Sequence, residues 1–531
     1  AFANTAITGL DLSTYADNSL TIYEGAFNGC ANLTSFDTSK VKLLCLYNTF
    51  ANCTSLTSME IGSKVQLKAK YSSTSTYYNK AFTGSGLKTL TIDQNILDSM
   101  FEGCESIENV ILGSNVSQIA SSAFKNATCL VSVDVSAVSE LAIKDNAFNG
   151  AASLKTIDLS KVKEIGKYAF QNCASLTNIG TLNEKITSLL DYTFDGTGLT
   201  SFDLSATNVT TLGNYVFRNS KLTSVVVPET ITSIGTSVFA GCVDLRTAQF
   251  LAPVAKMGSN MFSGCTSLTS VTIGDSVTEL GDSAFANTGL TAIDLNNVET
   301  LGQKVFENCA TLKTVTINAE NITLPTYGNA FLGVSGVQFV VTEGEYLTAD
   351  GGILYGGTKL LINLDTRKDV VVKDGTQEIA RNAFRYNTYV ETVTLPETLT
   401  TIDGYYTFAA CTNLKSINLD KVTSFGSSTE NPFQNTAITE VKISTTVNKL
   451  FRYAAILQKV TIVTDDEITI ASEAFKGCTS LSEIAIEGDG KIVGLSDSAF
   501  SNTAFTSLDA FQDLNTIGRY AFESSKLVTA V

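Results

Sequence analysis

Reactive chemistry in this 531-residue chain has to come from carboxylates, thiols and hydroxyls, because histidine is absent. Without imidazole there is no Ser-His-Asp or Cys-His nucleophile, no HExxH zinc site and no histidine proton shuttle. Eleven cysteines remain, and no two are spaced CxxC, which excludes a zinc ribbon and a thioredoxin-like redox motif. Nine of them (Cys30, Cys53, Cys104, Cys173, Cys242, Cys265, Cys309, Cys411 and Cys478) lie three residues after a phenylalanine. Cys45 and Cys129 do not. The nine have two readings, a disulfide or metal ladder and a row of buried free thiols. Cys30/Cys53 and Cys242/Cys265 fall in adjacent units, where Cα atoms about 5 Å apart are within disulfide reach. Elsewhere the same position holds Ala127, Thr197, Ser220 or Thr288. Exchange among small residues favours a packing slot in which Cys acts as a small hydrophobe.

Carboxylates are the second candidate chemistry. Asp37, Glu60, Asp134, Asp158, Asp203 and Asp294, with Asp509, each follow an apolar residue of a short alternating run, and all but Asp37 precede another. Such alternation is a strand with one buried face, so these side chains form an outward row. The row reads either as a solvated sheet face or as a receiver of cations or a basic partner. A neighbouring row (Ser35, Ser58, Thr89, Ser132, Thr156, Ser201, Ser224, Ser270 and Thr314) is expected to bond hydroxyl to hydroxyl along the sheet. Asp465-Asp466-Glu467 lacks calcium-loop spacing. Paired carboxylates can hydrolyse glycans. However, no repeat breaks the pattern to build a pocket, so the expectation is a non-enzyme without cofactor or metal.

The elements that must position these rows follow from one aromatic beat. Phenylalanine, in most cases preceded by a small residue, recurs 22 times from Phe2 to Phe522, mostly 21 to 25 residues apart. Phe170-Gln-Asn-Cys173-Ala-Ser-Leu176 and Phe262-Ser-Gly-Cys265-Thr-Ser-Leu268 are representative structural anchors. In this longer turn the strand starts six residues after Phe; in a shorter form, Phe285 to Leu290, it starts five after. All nine slot cysteines use the longer turn. A unit this short cannot bury its apolar face alone and must stack on its neighbours, which makes the fold a β-solenoid.

The pattern small-Phe-x-x-Cys-x-x-Leu-x-x-Val-x-Leu-Pro-x-x-Ile-x-x-Ile-Gly resembles the BspA-like, treponeme-type leucine-rich repeat. Val227-Pro-Glu-Thr-Ile231-Thr-Ser-Ile234-Gly and Leu395-Pro-Glu-Thr-Leu399-Thr-Thr-Ile402 carry the fullest matches. The resemblance covers 1–531 as a single leucine-rich-repeat solenoid of about 22 repeats of roughly 23 residues, right-handed, with one main-sheet strand and a second short strand per repeat. It implies an extracellular or cell-surface protein that adheres to host matrix proteins, glycans or other cells. It also identifies 340–383, around Tyr346-Leu-Thr-Ala-Asp350-Gly-Gly-Ile, as an interrupting β-hairpin unit. The family's Leu-Pro step is mostly replaced here, leaving only 5 prolines.

A second insertion, 61–81, is the only locally basic stretch, with Lys64, Lys68, Lys70 and Lys80. Its Tyr71, Tyr77 and Tyr78 are candidate ligand contacts, since loops that interrupt an array collect binding residues and tyrosine offers contact area at low entropic cost. The net charge of −16 argues against nucleic acid and anionic membranes. No run of about 18 apolar residues offers a membrane-spanning helix. The chain starts and stops mid-repeat, so the expectation is a longer parent protein carrying leader and anchoring regions. Two further readings stay open: an assembly unit that self-associates end to end, and an intracellular protein-binding scaffold.

Overall fold

A computed structural model describes residues 2–69, 80–295, 297–318, 320, 322–325, 329–342, 345–426, 431–444 and 450–528. The fold is a parallel β-solenoid of about 20 turns with repeats of roughly 23 residues. Packing groups the residues into two units, Ala1–Val277 with Ser283–Gly289, and Thr278–Asp282 with Leu290–Val531.

Each turn is built around its phenylalanine. The residues two before and two after it adopt left-handed backbone, as at Asn48 and Asn52 around Phe50, or Tyr168 and Asn172 around Phe170. This geometry sends the phenylalanine N–H to the next repeat: Phe50 N donates to Ala81 O at 2.9 Å and Phe124 N to Ala147 O at 2.8 Å. Asn and Gly fill most positions two after Phe because they tolerate positive φ at least cost. They also pack on one another. At Gly84 (φ +68°) an added Cβ would lie 2.5 Å from the Asn52 amide oxygen of the preceding repeat, so a larger residue there would have to displace that side chain.

In the first unit the rings from Phe2 to Phe285 stack in one file, with centroids 4.9–5.8 Å apart and planes within 17° of parallel. Stacked aromatic pairs contribute about 0.5–1.5 kcal/mol each beyond area burial. A five-stranded parallel sheet joins Ser58–Ile61, Thr89–Ile92, Asn109–Leu112, Ser132–Asp134 and Thr156–Ile157. Its register aligns Ser58, Thr89, Asn109, Ser132 and Thr156. A second sheet in the same unit joins Ser224–Val227, Thr247–Phe250 and Ser270–Ile273.

In the second unit the file runs from Phe384 through Phe408, Phe433, Phe451, Phe475 and Phe500 to Phe522, with centroids 4.7–6.2 Å apart. The insertion goes further than the expected hairpin. Leu347–Asp350 pairs antiparallel with Ile353–Gly356, which pairs antiparallel with Lys359–Asn363. That third strand then runs parallel to Glu378–Ile379, so it re-enters the solenoid's own sheet. Two direction reversals are what let an antiparallel excursion rejoin a parallel array.

Candidate functional site

The main sheet of the first unit skips two turns. Beyond Thr156–Ile157 only a single bridge reaches Asn178, and strand pairing resumes at Ser224–Val227. Local chemistry ends both strands early. Asn178 Oδ1 accepts from Gly180 N at 2.9 Å, and Asp203 Oδ1 accepts from Ser205 N at 2.9 Å, each folding the chain into an Asx turn. Gly180 holds φ +64°, and a Cβ there would meet the Asp158 carboxylate at 2.5 Å. After Asp203 the chain forms a short 3-10 turn over Leu204–Ala206 in place of a strand.

The skipped strands leave a groove of about 530 Å³. Leu182, Phe202 and Val226 supply its apolar surface, and Asp203, Thr207 and Ser224 its polar surface. Phe202 is half-buried, its ring edge-on to Phe217 at 4.8 Å and tilted against Phe194 at 5.8 Å. Val226 is 38% exposed on the flanking strand. This corrects the expectation that no repeat opens a pocket. Phe202 keeps the strand's apolar spacing, so the alternation looks intact in the sequence. The legible signal was Gly180 where a strand residue is due.

The acidic row is exposed, and several of its carboxylates are occupied with their own backbone. Asp37 accepts from Ser39 N at 2.8 Å, Asp134 from Ser136 N at 2.9 Å and Asp158 from Ser160 N at 2.9 Å. Bonds from the side chain and backbone of Ser39 hold the Asp37 carboxyl below the ordinary carboxylate range, and the Ser136 backbone and side chain do so for Asp134. Glu60 stands exposed in its strand, while Asp294, in the second unit, accepts from Asn318 Nδ2 at 3.1 Å. Of this row only Asp203 lines the groove; Asp158 reaches its margin beside Gly180. The most enclosed carboxylate in the unit, Asp195, is fully paired: Arg218 bridges both its oxygens at 2.9 and 2.8 Å and Gln171 donates at 2.9 Å. Among the described residues no three Cys, Asp or Glu side chains gather as a metal site.

All eleven cysteines are free thiols; ten are buried and Cys129 is exposed. The slot does more than pack. Cys53, Cys173 and Cys265 each donate to the carbonyl of the preceding repeat's phenylalanine (Phe27, Phe148 and Phe239) at 3.1 Å, and Cys411 does so to Phe384 at 3.0 Å. Burial pushes the Cys104 thiol up to about 11 and the Cys478 thiol up to about 12, so neither supplies a thiolate near neutral pH.

The hydroxyl row departs from expectation. Within it Ser132 Oγ donates to the Asn109 amide oxygen at 2.9 Å, a pairing of hydroxyl with amide. The inter-repeat hydroxyl bonds lie one residue earlier: Thr34, Thr223 and Thr269 donate to backbone carbonyls of Thr8, Thr200 and Arg246 at 3.0–3.4 Å. Those one residue earlier lie at the strand entrance, within reach of the neighbouring backbone. Tyr71, Tyr77 and Tyr78 lie outside the described residues.

No helix among the described residues is long and apolar enough to cross a membrane. A BspA type leucine rich repeat region matches in six copies, over 1–72, 48–142, 141–266, 244–341, 363–454 and 447–531. No curated protein matches. Solved structures similar to this chain include a leucine-rich repeat protein from Bacteroides ovatus, 17% identical, covering 78% of this chain and 84% of its own, with TM-score 0.37. A leucine rich cell surface protein from Faecalibacterium prausnitzii is 22% identical, covering 82% and 83%, with TM-score 0.29. The pneumococcal vaccine antigen PcpA is 18% identical, covering 78% and 89%, with TM-score 0.35. With the family model spanning nearly the whole sequence and the Phe-centred turn repeated through both units, the chain belongs to the BspA-type leucine-rich-repeat family.

Proposed function

We propose that this repeat protein is a non-enzymatic adhesin, secreted or held at a cell surface, that binds a protein or glycan ligand in the groove between Thr156–Ile157 and Ser224–Val227. The observation that carries the reading is the skipped pair of strands, which leaves Phe202 and Val226 open to solvent beside Asp203. Binding energy concentrates in aromatic anchors set in desolvated pockets with a polar rim, and a flat repeat face lacks such an anchor. The exposed carboxylates Asp134 and Asp158 lead up to the groove and give a basic partner an electrostatic approach. The absence of histidine and the engagement of row carboxylates in turns support binding over catalysis.

The test is binding to immobilised matrix proteins and glycans by the wild-type chain, by Val226→Arg, which fills the groove from an exposed position, and by a chain lacking residues 70–79. The expected result is at least a tenfold loss with Val226→Arg and little change on removing 70–79. Binding that survives Val226→Arg and disappears with 70–79 would move the site to Tyr71, Tyr77 and Tyr78.

A further inference from the structure

A second cavity, of about 160 Å³, lies wholly within the second unit, where the inserted strands rejoin the array. In the turn beside it two successive positions depart from the residues commonest in the repeat, the first of them as the turn after Phe451 also does with Tyr453. The position two after Phe384, left-handed and elsewhere mostly Asn or Gly, holds Tyr386 at φ +66°. The thiol slot holds Asn387. Between Phe384 and Tyr386 stands Arg385, its guanidinium stacked on Tyr406 at 4.4 Å and Tyr386 at 4.9 Å. A bulky residue in left-handed backbone is costly and persists where the surroundings or a function require it.

What these groups offer is donors. Asn363, 2% exposed at the end of Lys359–Asn363, lines the cavity; its Oδ1 accepts from Asp365 N at 2.8 Å, and its Nδ2 has no partner. An orphaned buried amide is unfavourable unless something fills the site. Arg385 donates to Asn382 Oδ1 at 3.3 Å and, among the described residues, pairs with no carboxylate, although the chain carries 52 Asp and Glu. Tyr386 and Tyr389, 44% and 45% exposed, flank the mouth, where Ser335 donates to the Tyr389 hydroxyl at 3.4 Å. The apolar lining residues Phe331, Val334 and Leu364 are themselves buried, so the cavity presents amide, guanidinium, hydroxyl and phenol.

We propose that this cavity binds the terminal acidic residue of a glycan, with the sugar's carboxylate on Arg385 and a ring or carboxylate oxygen on Asn363 Nδ2. Unpaired donors select an anion. Exposed phenol rings at the mouth suit the C–H face of a pyranose, and a volume well under the roughly 300 Å³ of a usual ligand pocket admits one ring. A peptide carboxyl terminus would need an open apolar niche for its side chain, which the buried Phe331, Val334 and Leu364 do not provide. This site is separate from the groove, and its failure leaves that reading standing.

The test is saturation-transfer NMR and calorimetry on the full chain with glucuronic acid, glucose and N-acetyl-dialanine. Glucuronic acid is expected to bind about tenfold or more tightly than glucose. Arg385→Gln is expected to erase that preference, and Tyr389→Ala, at an exposed rim position, to weaken both sugars alike with an unchanged melting curve. No signal from glucuronic acid, no preference over glucose, a preference that survives Arg385→Gln, or tighter binding of N-acetyl-dialanine would each overturn the proposal. Should Arg385→Gln fail to fold, Arg385→Lys, which keeps the charge and loses the planar fork, is expected to reduce the preference, and an unchanged preference would overturn it.

Discussion

At the residue scale, the cysteines show how far side-chain type can be read before a structure is known. Nine thiols sharing one spacing, and exchanging with Ala, Ser and Thr, marked a packed slot from the sequence. The bond from Sγ to the preceding repeat's phenylalanine carbonyl was not legible, because it depends on where the next turn falls and alanine occupies the slot without it. Two expectations follow. Iodoacetamide on the native protein should modify Cys129 alone, with the ten buried thiols reacting only after denaturation, as read by mass spectrometry. Stability should also fall on the alkaline side. Cys104 and Cys478 keep their protons when folded up to about 11 and about 12, against an ordinary value of 9.0. Their contribution is therefore complete below pH 9.0 and is lost as pH rises through those folded values. Melting temperature against pH should decline less steeply in this window for the double variant Cys104→Ala, Cys478→Ala than for wild type.

At the element scale, the stacked turn carries the energy and the Asx turn shapes the surface. Phe239, fully buried in the file of the first unit, should cost about 3–5 kcal/mol when changed to Ala, measured by denaturant unfolding. Asp158 caps the 3-10 turn Leu159–Lys161 through Ser160 N, so Asp158→Ala should cost about 0.5–2 kcal/mol and Asp158→Asn only a few tenths. Equal losses for both would mean that charge, and not the turn, is what Asp158 supplies. Strand existence and the aromatic spacing were legible because burial on one face imposes a period of two and stacking imposes equal repeat lengths. The groove was not, since Asn178, Gly180 and Asp203 end strands through backbone turns that leave the apolar spacing intact.

At the scale of the whole molecule, a repeat array is stabilised by each turn's own bonds and by its contacts with its two neighbours. Both proposed sites lie where the repetition is interrupted: the skipped strands in the first unit, and the inserted strands around Asn363 and Arg385 in the second. The broken beat before Phe384 was readable, but not the third inserted strand, whose pairing with Glu378–Ile379 joins segments separated by a loop. The most direct test of the stacked-turn account is a distance across the continuous sheet of the first unit. Spin labels at Ser58 and Thr156 are separated by four strand spacings in the observed register. At about 4.8 Å per strand, electron–electron resonance should give a narrow distribution near 19 Å, broadened only by the label arms. A broad distribution, or one centred beyond about 30 Å, would contradict coils laid one upon another.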